Sequence, residues 1–323
     1  MASNLIKEFP VYRTNELSVL QKEGICKLFE DVFHHIKTLD YFDKQFGEAS
    51  PQGSYHCIYE TEGKLLATFS YIPYRLAYHD KEVMVAVGVD TAVSPSAKIG
   101  EFGVYFMYQS LIKRMKQDGI EAVYGFPNDN FYGYNTLILG LKDIGILDFY
   151  VVPMNLGLVK KNLSFLTPVF SLLSILGIKF LKSFSSKKEI KYDINLIHDA
   201  VFEKQRYSSN HSFLTLKDGS RVVYTLYKEE KLGDVAYIID IESMSKHNFY
   251  EAFEQVAKKV KNNCSMIAFP CSRMPFFSPI RIPMKYLPRK LHMVGSCFDS
   301  DIVKSDFYSL ASWKANLSIF DVR

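Results

Sequence analysis

The residues best suited to chemistry lie between Val83 and Asn130. An apolar run from Val83 to Val93 holds one carboxylate, Asp90, and stops at Ser94-Pro95. A short loop carrying Gly100 and Gly103 follows, then an amphipathic stretch to about Gln117. A second apolar run, Glu121 to Gly125, ends at Phe126-Pro127-Asn128. Read as strand, glycine loop, helix and strand, this stretch forms an anion cradle. The first N–H groups of a helix have no partner within it, and the macrodipole puts partial positive charge at the same end. Asp90 adds a candidate base, since burial in an apolar strand disfavours the charged form of a carboxylate. Its structural alternative is an aspartate bonded to a turn or to a backbone amide.

Other chemistries find less support. His34 and His35 are adjacent, so they do not share a helix face, and they read as polar residues at a helix end rather than metal ligands. No Ser-His-Asp arrangement and no metal-ligand spacing stands out, so no metal is expected. Cys26, Cys57, Cys264, Cys271 and Cys297 form no CxxC pair. An odd, scattered set reads as reduced thiols of a cytoplasmic protein. A net charge of +4 is too mild to expect a nucleic-acid partner. The N-terminus, MASNLIKEFPVYR, lacks the apolar stretch of a secretory signal.

The elements that must position these residues are legible in outline. A length of 323 residues suggests two domains of about 150 residues each, and 48% apolar content suffices for their cores. Leu17 to His34 repeats apolar residues at three and four, a helix that Thr14 or Asn15 would cap. Tyr55–Glu60 and Lys64–Tyr74 read as a hairpin turning at Glu62-Gly63. His79-Asp80-Lys81 turns the chain into the strand Glu82–Val93, where Val83, Val85, Val87 and Val89 share a face. Gly88 inside it signals a bulge or a close approach by another group. Phe131 to Leu139 is a short helix ended by Gly140, and a strand pair from about Leu147 to Val159 is expected to close the domain.

In this order the residues resemble the GNAT acyltransferase fold over about positions 5 to 160. The phrases that carry the resemblance are Val93-Ser94-Pro95 before the loop and Gly125-Phe126-Pro127-Asn128 after it, with Gly140-Leu141 in place of a Gly-aromatic pair. It implies an α/β (α+β) fold: a mixed, mostly antiparallel sheet flanked by helices. It also implies acetyl-CoA or another acyl-CoA as co-substrate, with the pyrophosphate on the glycine loop and the pantetheine where the fourth and fifth strands splay apart. The family's loop pattern is Arg or Gln, two residues, Gly, one residue, then Gly or Ala, and it falls on Gly100 to Tyr105. Gly103 keeps the pattern, while Gly100 stands where Arg or Gln is usual and Tyr105 where a small residue is usual. The implied CoA contacts are Gly100, Phe102, Gly103, Val104 and Tyr105, with Lys98 adding positive charge and Asn128 following the fifth strand. Asn128 can equally cap the next helix. Backbone N–H groups near Ala92 and Val93 would polarise the thioester carbonyl, and Asp90 would take the amine's proton. Where the family's acid tyrosine is counted this chain has Thr136; Tyr132 and Tyr134 are the nearest substitutes.

The second half echoes the first. Gly63–Tyr71 is echoed by Gly219–Tyr227, Val85–Asp90 by Val235–Asp240, and Val123–Pro127 by Met266–Pro270. Asp90 precedes Phe126 by 36 residues and Asp240 precedes Phe269 by 29, the deficit falling where the glycine loop was. The expected organisation is a GNAT-like acyl-CoA-binding domain at 1–160, an apolar helix and basic linker at 161–189, and a second, degenerate GNAT-like domain at 190–323. The apolar segment Leu163–Leu181 begins its helix at Thr167-Pro168. It reads as a semi-buried helix packed between domains. The alternative is an interfacial helix making peripheral membrane contact through 168–182, flanked by Lys179, Lys182, Lys187, Lys188 and Lys191. The tail, Trp313 to Phe320-Asp321, resembles two-domain GNAT-like proteins found with bacterial surface-polysaccharide synthesis. The resemblance implies an acyl-CoA-dependent N-acyltransferase acting on a small amine such as an amino sugar. The alternative is a non-catalytic GNAT-like protein that binds a ligand or partner.

Overall fold

The computed structural model describes residues 9–34, 36–47, 53–159, 161–260, 263–287, 289–298, 303 and 305–320. His35 and Asp321 lie outside the described residues. In chain order the elements are β1 (Val11–Arg13), α1 (Val19–Phe33), α2 (Leu39–Phe42), β2 (Tyr55–Thr61), β3 (Lys64–Tyr78), β4 (Lys81–Val93), α3 (Gly100–Gln117), β5 (Ala122–Gly125), α4 (Asp129–Leu137), β6 (Lys142–Ile146), β7 (Asp148–Pro153), α5 (Leu156–Val159) and α6 (Thr167–Ser183). They continue as β8 (Ile194–Leu196), α7 (Ala200–Arg206), β9 (His211–Thr215), β10 (Arg221–Glu229), β11 (Gly233–Ile241), α8 (Lys246–Val260), β12 (Met266–Cys271), β13 (Arg281–Ile282) and β14 (His292–Cys297).

The chain forms two compact units, and neither is contiguous in sequence. One takes Met1–Gly145, Ile194–Arg206 and Leu291–Ser309; the other takes Ile146–Asp193, Tyr207–Lys290 and Leu310–Arg323. This differs from the contiguous division at 160 and 190 that the sequence suggests. Strand pairing is non-local, so a short segment can complete a sheet built by residues far away in the chain.

In the first unit eight strands among the described residues form one sheet, ordered β1-β2-β3-β4-β5-β14-β6, with β8 also pairing to β3. Strands β1 to β4 run antiparallel, β5 runs parallel to β4, and β14 returns antiparallel to β5. The β2–β3 turn places Glu62 and Gly63 at φ +52° and +71°, the two-residue geometry that suits the twist of a hairpin. Ser18, rather than Thr14 or Asn15, caps α1. Its Oγ accepts the Gln21 N–H at 3.2 Å while Gln21 Oε1 accepts the Ser18 N–H at 3.0 Å. The inner face of α3 carries Val104, Met107, Tyr108, Leu111 and Met115, which share a core with Phe69, Tyr71 and Val123 of the sheet.

The second unit is a six-stranded sheet in the order β13-β7-β12-β11-β10-β9. Here β11 and β12 are the parallel pair, and the other ladders are antiparallel. Helix α8 buries Phe249, Tyr250, Phe253, Val256, Ala257 and Val260 in its core. The strand pair expected at Leu147–Val159 does not form. β6 joins the first sheet, whereas β7 pairs with β12 in the second.

The path β10–β11–α8–β12 repeats the path β3–β4–α3–β5, down to a bulge in the second strand. Thr68 faces Ala92 and Ser70 faces Val89, so β4 carries one extra residue there. Val223 faces Asp240 and Tyr224 faces Ile238, so β11 does the same.

Candidate active site at the parting of two parallel strands

Strand β4 pairs with β5 from Val85 opposite Ala122 to Gly88 opposite Gly125. Beyond that pair β5 ends, while β4 continues to Val93. Among the described residues, the backbone edge of β4 that faces β5 thus has no strand partner over its last residues, next to the loop that leads into α3. Gly88 answers to the close approach rather than to a bulge: a Cβ there would lie 3.1 Å from the Tyr71 ring. The bulge comes two residues later, at Asp90, whose φ is +47°. Aspartate tolerates this left-handed region better than the valines around it.

Asp90 is not a lone carboxylate in an apolar strand. Lys37 is ion-paired with it; the Lys37 side chain is 4% exposed and that of Asp90 18%. The same ammonium donates to Gln45 Oε1 at 3.0 Å and lies 4.3 Å from the centre of the Phe29 ring. The Gln45 carbonyl accepts from Gln205 Nε2 at 2.8 Å, and Gln205 Oε1 accepts the Tyr74 hydroxyl at 2.7 Å. Sequence reasoning missed Lys37, which precedes Asp90 by 53 positions and sits in no motif.

The loop and helix start expected to cradle an anion are built differently from the sequence reading. Helix α3 starts at Gly100, so Gly100, Phe102, Gly103, Val104 and Tyr105 occupy its opening turns and the loop before it is Ser94–Ile99. That loop is held by Ser94 N–H to Leu66 O at 2.8 Å and Ala97 N–H to Ser94 O at 2.9 Å. Gly103 donates its N–H to Ile99 O at 3.0 Å, closing the first helical turn. A Cβ on Gly103 would lie 2.4 Å from Ile99 Cβ, so glycine is what lets Ile99 lie over the turn. Helix geometry directs the N–H groups of Gly100, Glu101 and Phe102 outward with no acceptor inside the helix. Phe102 and Lys98 are exposed, Tyr105 is half-buried with its ring edge against Phe106, and Val104 belongs to the core. Ala92 is buried opposite Thr68, and Val93 pairs with Ala67. Thr68 Oγ1 is itself buried with no hydrogen-bond partner among the described residues.

At the far end of β5, Asn128 caps α4: its Oδ1 accepts the Phe131 N–H at 2.9 Å. Tyr134 stacks on Phe131 with ring centres 5.2 Å apart. Tyr132 donates its hydroxyl to Asp143 Oδ1 at 3.1 Å, and burial followed by that carboxylate raises its pKa. Its ring centre is 4.1 Å from that of His292. His292 opens β14, two residues before Val294, which faces Gly125, so it arrives where β5 ends. Its Nδ1 is buried without a hydrogen-bond partner among the described residues. No sequence signal pointed to His292, because it enters this unit from the last part of the chain. His56, by contrast, is fully buried and is held between Thr14 Oγ1 and Ser70 Oγ, each at 2.9 Å. Burial, helped by Lys37, lowers its pKa to about 3, which makes it a neutral structural group.

Residues 16–135 match the model of a family described as acetyltransferase (GNAT) domain. No curated protein sequence matches the chain. Among solved structures, a GCN5-related N-acetyltransferase from Anabaena variabilis ATCC 29413 is similar at a TM-score of 0.58 and 10% identity, over 90% of this chain and 73% of that one. A probable N-acyltransferase from Enterococcus faecalis V583 gives 0.57 at 10% identity, over 89% and 72%. Saccharomyces cerevisiae N-myristoyltransferase with bound myristoyl-CoA gives 0.52 at 11% identity, over 90% and 80%. At such identities the likeness is one of fold.

Proposed function

We propose that the first unit is an acyl-CoA-dependent N-acyltransferase that moves an acyl group from a CoA thioester to a small amine, with amino sugars as the acceptor class to test first. The observation that carries this reading is the parting of β4 and β5 after Gly88–Gly125, next to the outward N–H groups at the start of α3. A strand edge supplies donors to a carbonyl, and a helix N-terminus supplies donors to phosphate oxygens. In this reading the pyrophosphate meets the N–H groups of Gly100, Glu101 and Phe102, and Lys98 adds charge. The thioester carbonyl is polarised by β4 backbone near Ala92 and Val93. As the amine attacks, it loses a proton, the C–S bond breaks, and the thiolate takes up a proton. Asp90 is the base nearest the bulge, and its pairing with Lys37 means that accepting the proton disrupts an ion pair. Tyr132, on the helix that follows β5, is the candidate acid; its raised pKa keeps it protonated, the form a proton donor needs.

The family match and the fold likeness to N-acyltransferases support the reading. The second unit is read as a GNAT-like domain without a cradle: its path repeats that of the first, but α8 starts with no glycine, and Asp240 is held by Asn316 and Lys314. A cytoplasmic setting is supported by five free thiols.

A non-catalytic, ligand-binding GNAT-like protein is the second reading. The commitment of the Tyr132 hydroxyl to Asp143 favours it. Calorimetric titration with acetyl-CoA and longer acyl-CoAs is the first test. Saturable binding, abolished by Gly103→Glu, supports the CoA site; no binding of any of them at millimolar concentration sinks the enzyme reading.

A further inference from the structure

Helix α6, in the second unit, shows two unlike faces. One face is engaged. Ser171 and Ile178 are buried, Ser174 Oγ donates to the Pro153 carbonyl at 2.8 Å, and Ile175 and Leu181 pack on the second core. Lys182 is ion-paired with Glu254 of α8. The other face is uncovered among the described residues. Val169, Leu172, Leu173, Leu176, Phe180 and Phe184 recur at spacings of three and four and are 49% to 75% exposed. Phe165, just before the helix, is 74% exposed as well. A contiguous apolar stripe of this kind marks a contact surface, whereas single exposed apolar residues do not.

Charge identifies what the stripe contacts. From Lys160 to Tyr192 the sequence has seven lysines and a single acid, Glu189. Lys179, Lys187, Lys188 and Lys191 are exposed at the C-terminal end of the stripe and just past it. A second copy of this face would bring the same cationic, acid-poor surface and so lacks complementary charge. An anionic bilayer offers acyl chains for the stripe and phosphate headgroups for the lysines. Crossing the bilayer is a different matter. The helical run that contains α6, Ser164–Ser183, has 20 residues, about 30 Å at about 1.5 Å each, so by length alone it matches the roughly 30 Å hydrocarbon core. A spanning pose, however, would strip Lys182, Ser174 and Ile178 of the partners they have in the second unit.

We propose that α6 is an interfacial anchor. It lies along the surface of an anionic membrane, with the stripe from Val169 to Phe184 among the acyl chains and Lys179, Lys187 and Lys188 at the headgroups.

The test is flotation of the full chain with two kinds of vesicle, phosphatidylcholine alone and phosphatidylcholine with phosphatidylglycerol. The parent should float with the anionic vesicles and less so at high salt. The double variant Leu172→Glu/Leu176→Glu should lose about tenfold or more of that partitioning. Both leucines are exposed, so its circular dichroism and melting should match the parent's, and its acyl-CoA binding should be unchanged. Lys187→Glu/Lys188→Glu should remove the preference for anionic lipid. Failure of the parent to float overturns the anchor, as does flotation that the leucine variant leaves intact. Sedimentation in the absence of lipid covers the other occupant: a dimer that the same leucine variant dissolves assigns the face to a second copy and overturns the proposal.

Discussion

The ammonium of Lys37 is ion-paired with the carboxylate of Asp90, the residue that takes up the positive φ of the β4 bulge. One side chain enters from the segment between α1 and α2, the other from the strand edge left open beyond β5. The pair joins the strained backbone to a buried network through Gln45, Gln205 and Tyr74. Removing one partner leaves the other charged and poorly solvated. Lys37→Met should cost about 2–3 kcal/mol, below the full penalty for a buried pair because Asp90 keeps some solvent contact. Urea unfolding measures it, and a loss below about 0.5 kcal/mol would show the pair to be incidental.

Asp90 has a backbone role and a candidate chemical role, and two substitutions separate them. Asn also tolerates the left-handed region, so Asp90→Asn should retain the fold and acyl-CoA binding while acyl transfer to small amines slows. Asp90→Val should destabilise by about 1–2 kcal/mol more than Asp90→Asn, since a β-branched residue is poorly suited to φ +47°. Loss of acyl-CoA binding in Asp90→Asn would make the residue structural.

Two glycines in helices should respond in opposite ways to alanine. At Gly103 the new Cβ would meet Ile99 Cβ at 2.4 Å, so the start of α3 must shift and acyl-CoA affinity should fall about tenfold. At Gly133 in α4 nothing lies within 4 Å of the new Cβ, and the variant should be neutral or gain up to about 1 kcal/mol. Equal affinity of Gly103→Ala and the parent would detach the cradle from binding.

Tyr132→Phe separates proton donation from packing. The ring contact with His292 survives in phenylalanine, while the hydroxyl bonded to Asp143 is lost. If Tyr132 protonates the leaving thiolate, kcat should drop about 10²-fold with acyl-CoA affinity unchanged. An unchanged kcat returns Tyr132 to packing.

His56 should make the fold acid-sensitive. Its ordinary pKa of 6.5 falls to about 3 in the fold, through burial first and nearby cations second. Between those values the unfolded chain binds a proton that the folded chain does not. The stability is therefore fully present above 6.5 and is lost as pH falls toward 3, at up to about 1.4 kcal/mol per pH unit. His56→Gln is expected to be less stable than the parent near neutral pH, with the gap narrowing on acidification. A gap that stays constant down that range would mean His56 is protonated in the fold.

The sequence by itself determined what is local. The hairpin at Glu62-Gly63, the strand Val83–Val93 with its glycine and its aspartate, the helix after Ser94-Pro95 and the echo in the second half all follow from short-range pattern and turn chemistry. The mixed sheet flanked by helices was implied by the family resemblance that their order carries. What sits beside what was decided only in three dimensions. Pairing between distant strands leaves no periodic trace, so nothing in the sequence announces that β14 borders β5, that β7 borders β12, or that Lys37 answers Asp90 and His292 meets Tyr132. The apolar segment after Thr167 shows the same division. Its composition is local and was plain from the residues, but which face is covered depends on what the second unit packs against it. The fold covers one side with Ser171, Ile178 and the Lys182–Glu254 pair, and leaves Leu172, Leu176 and Phe180 facing outward.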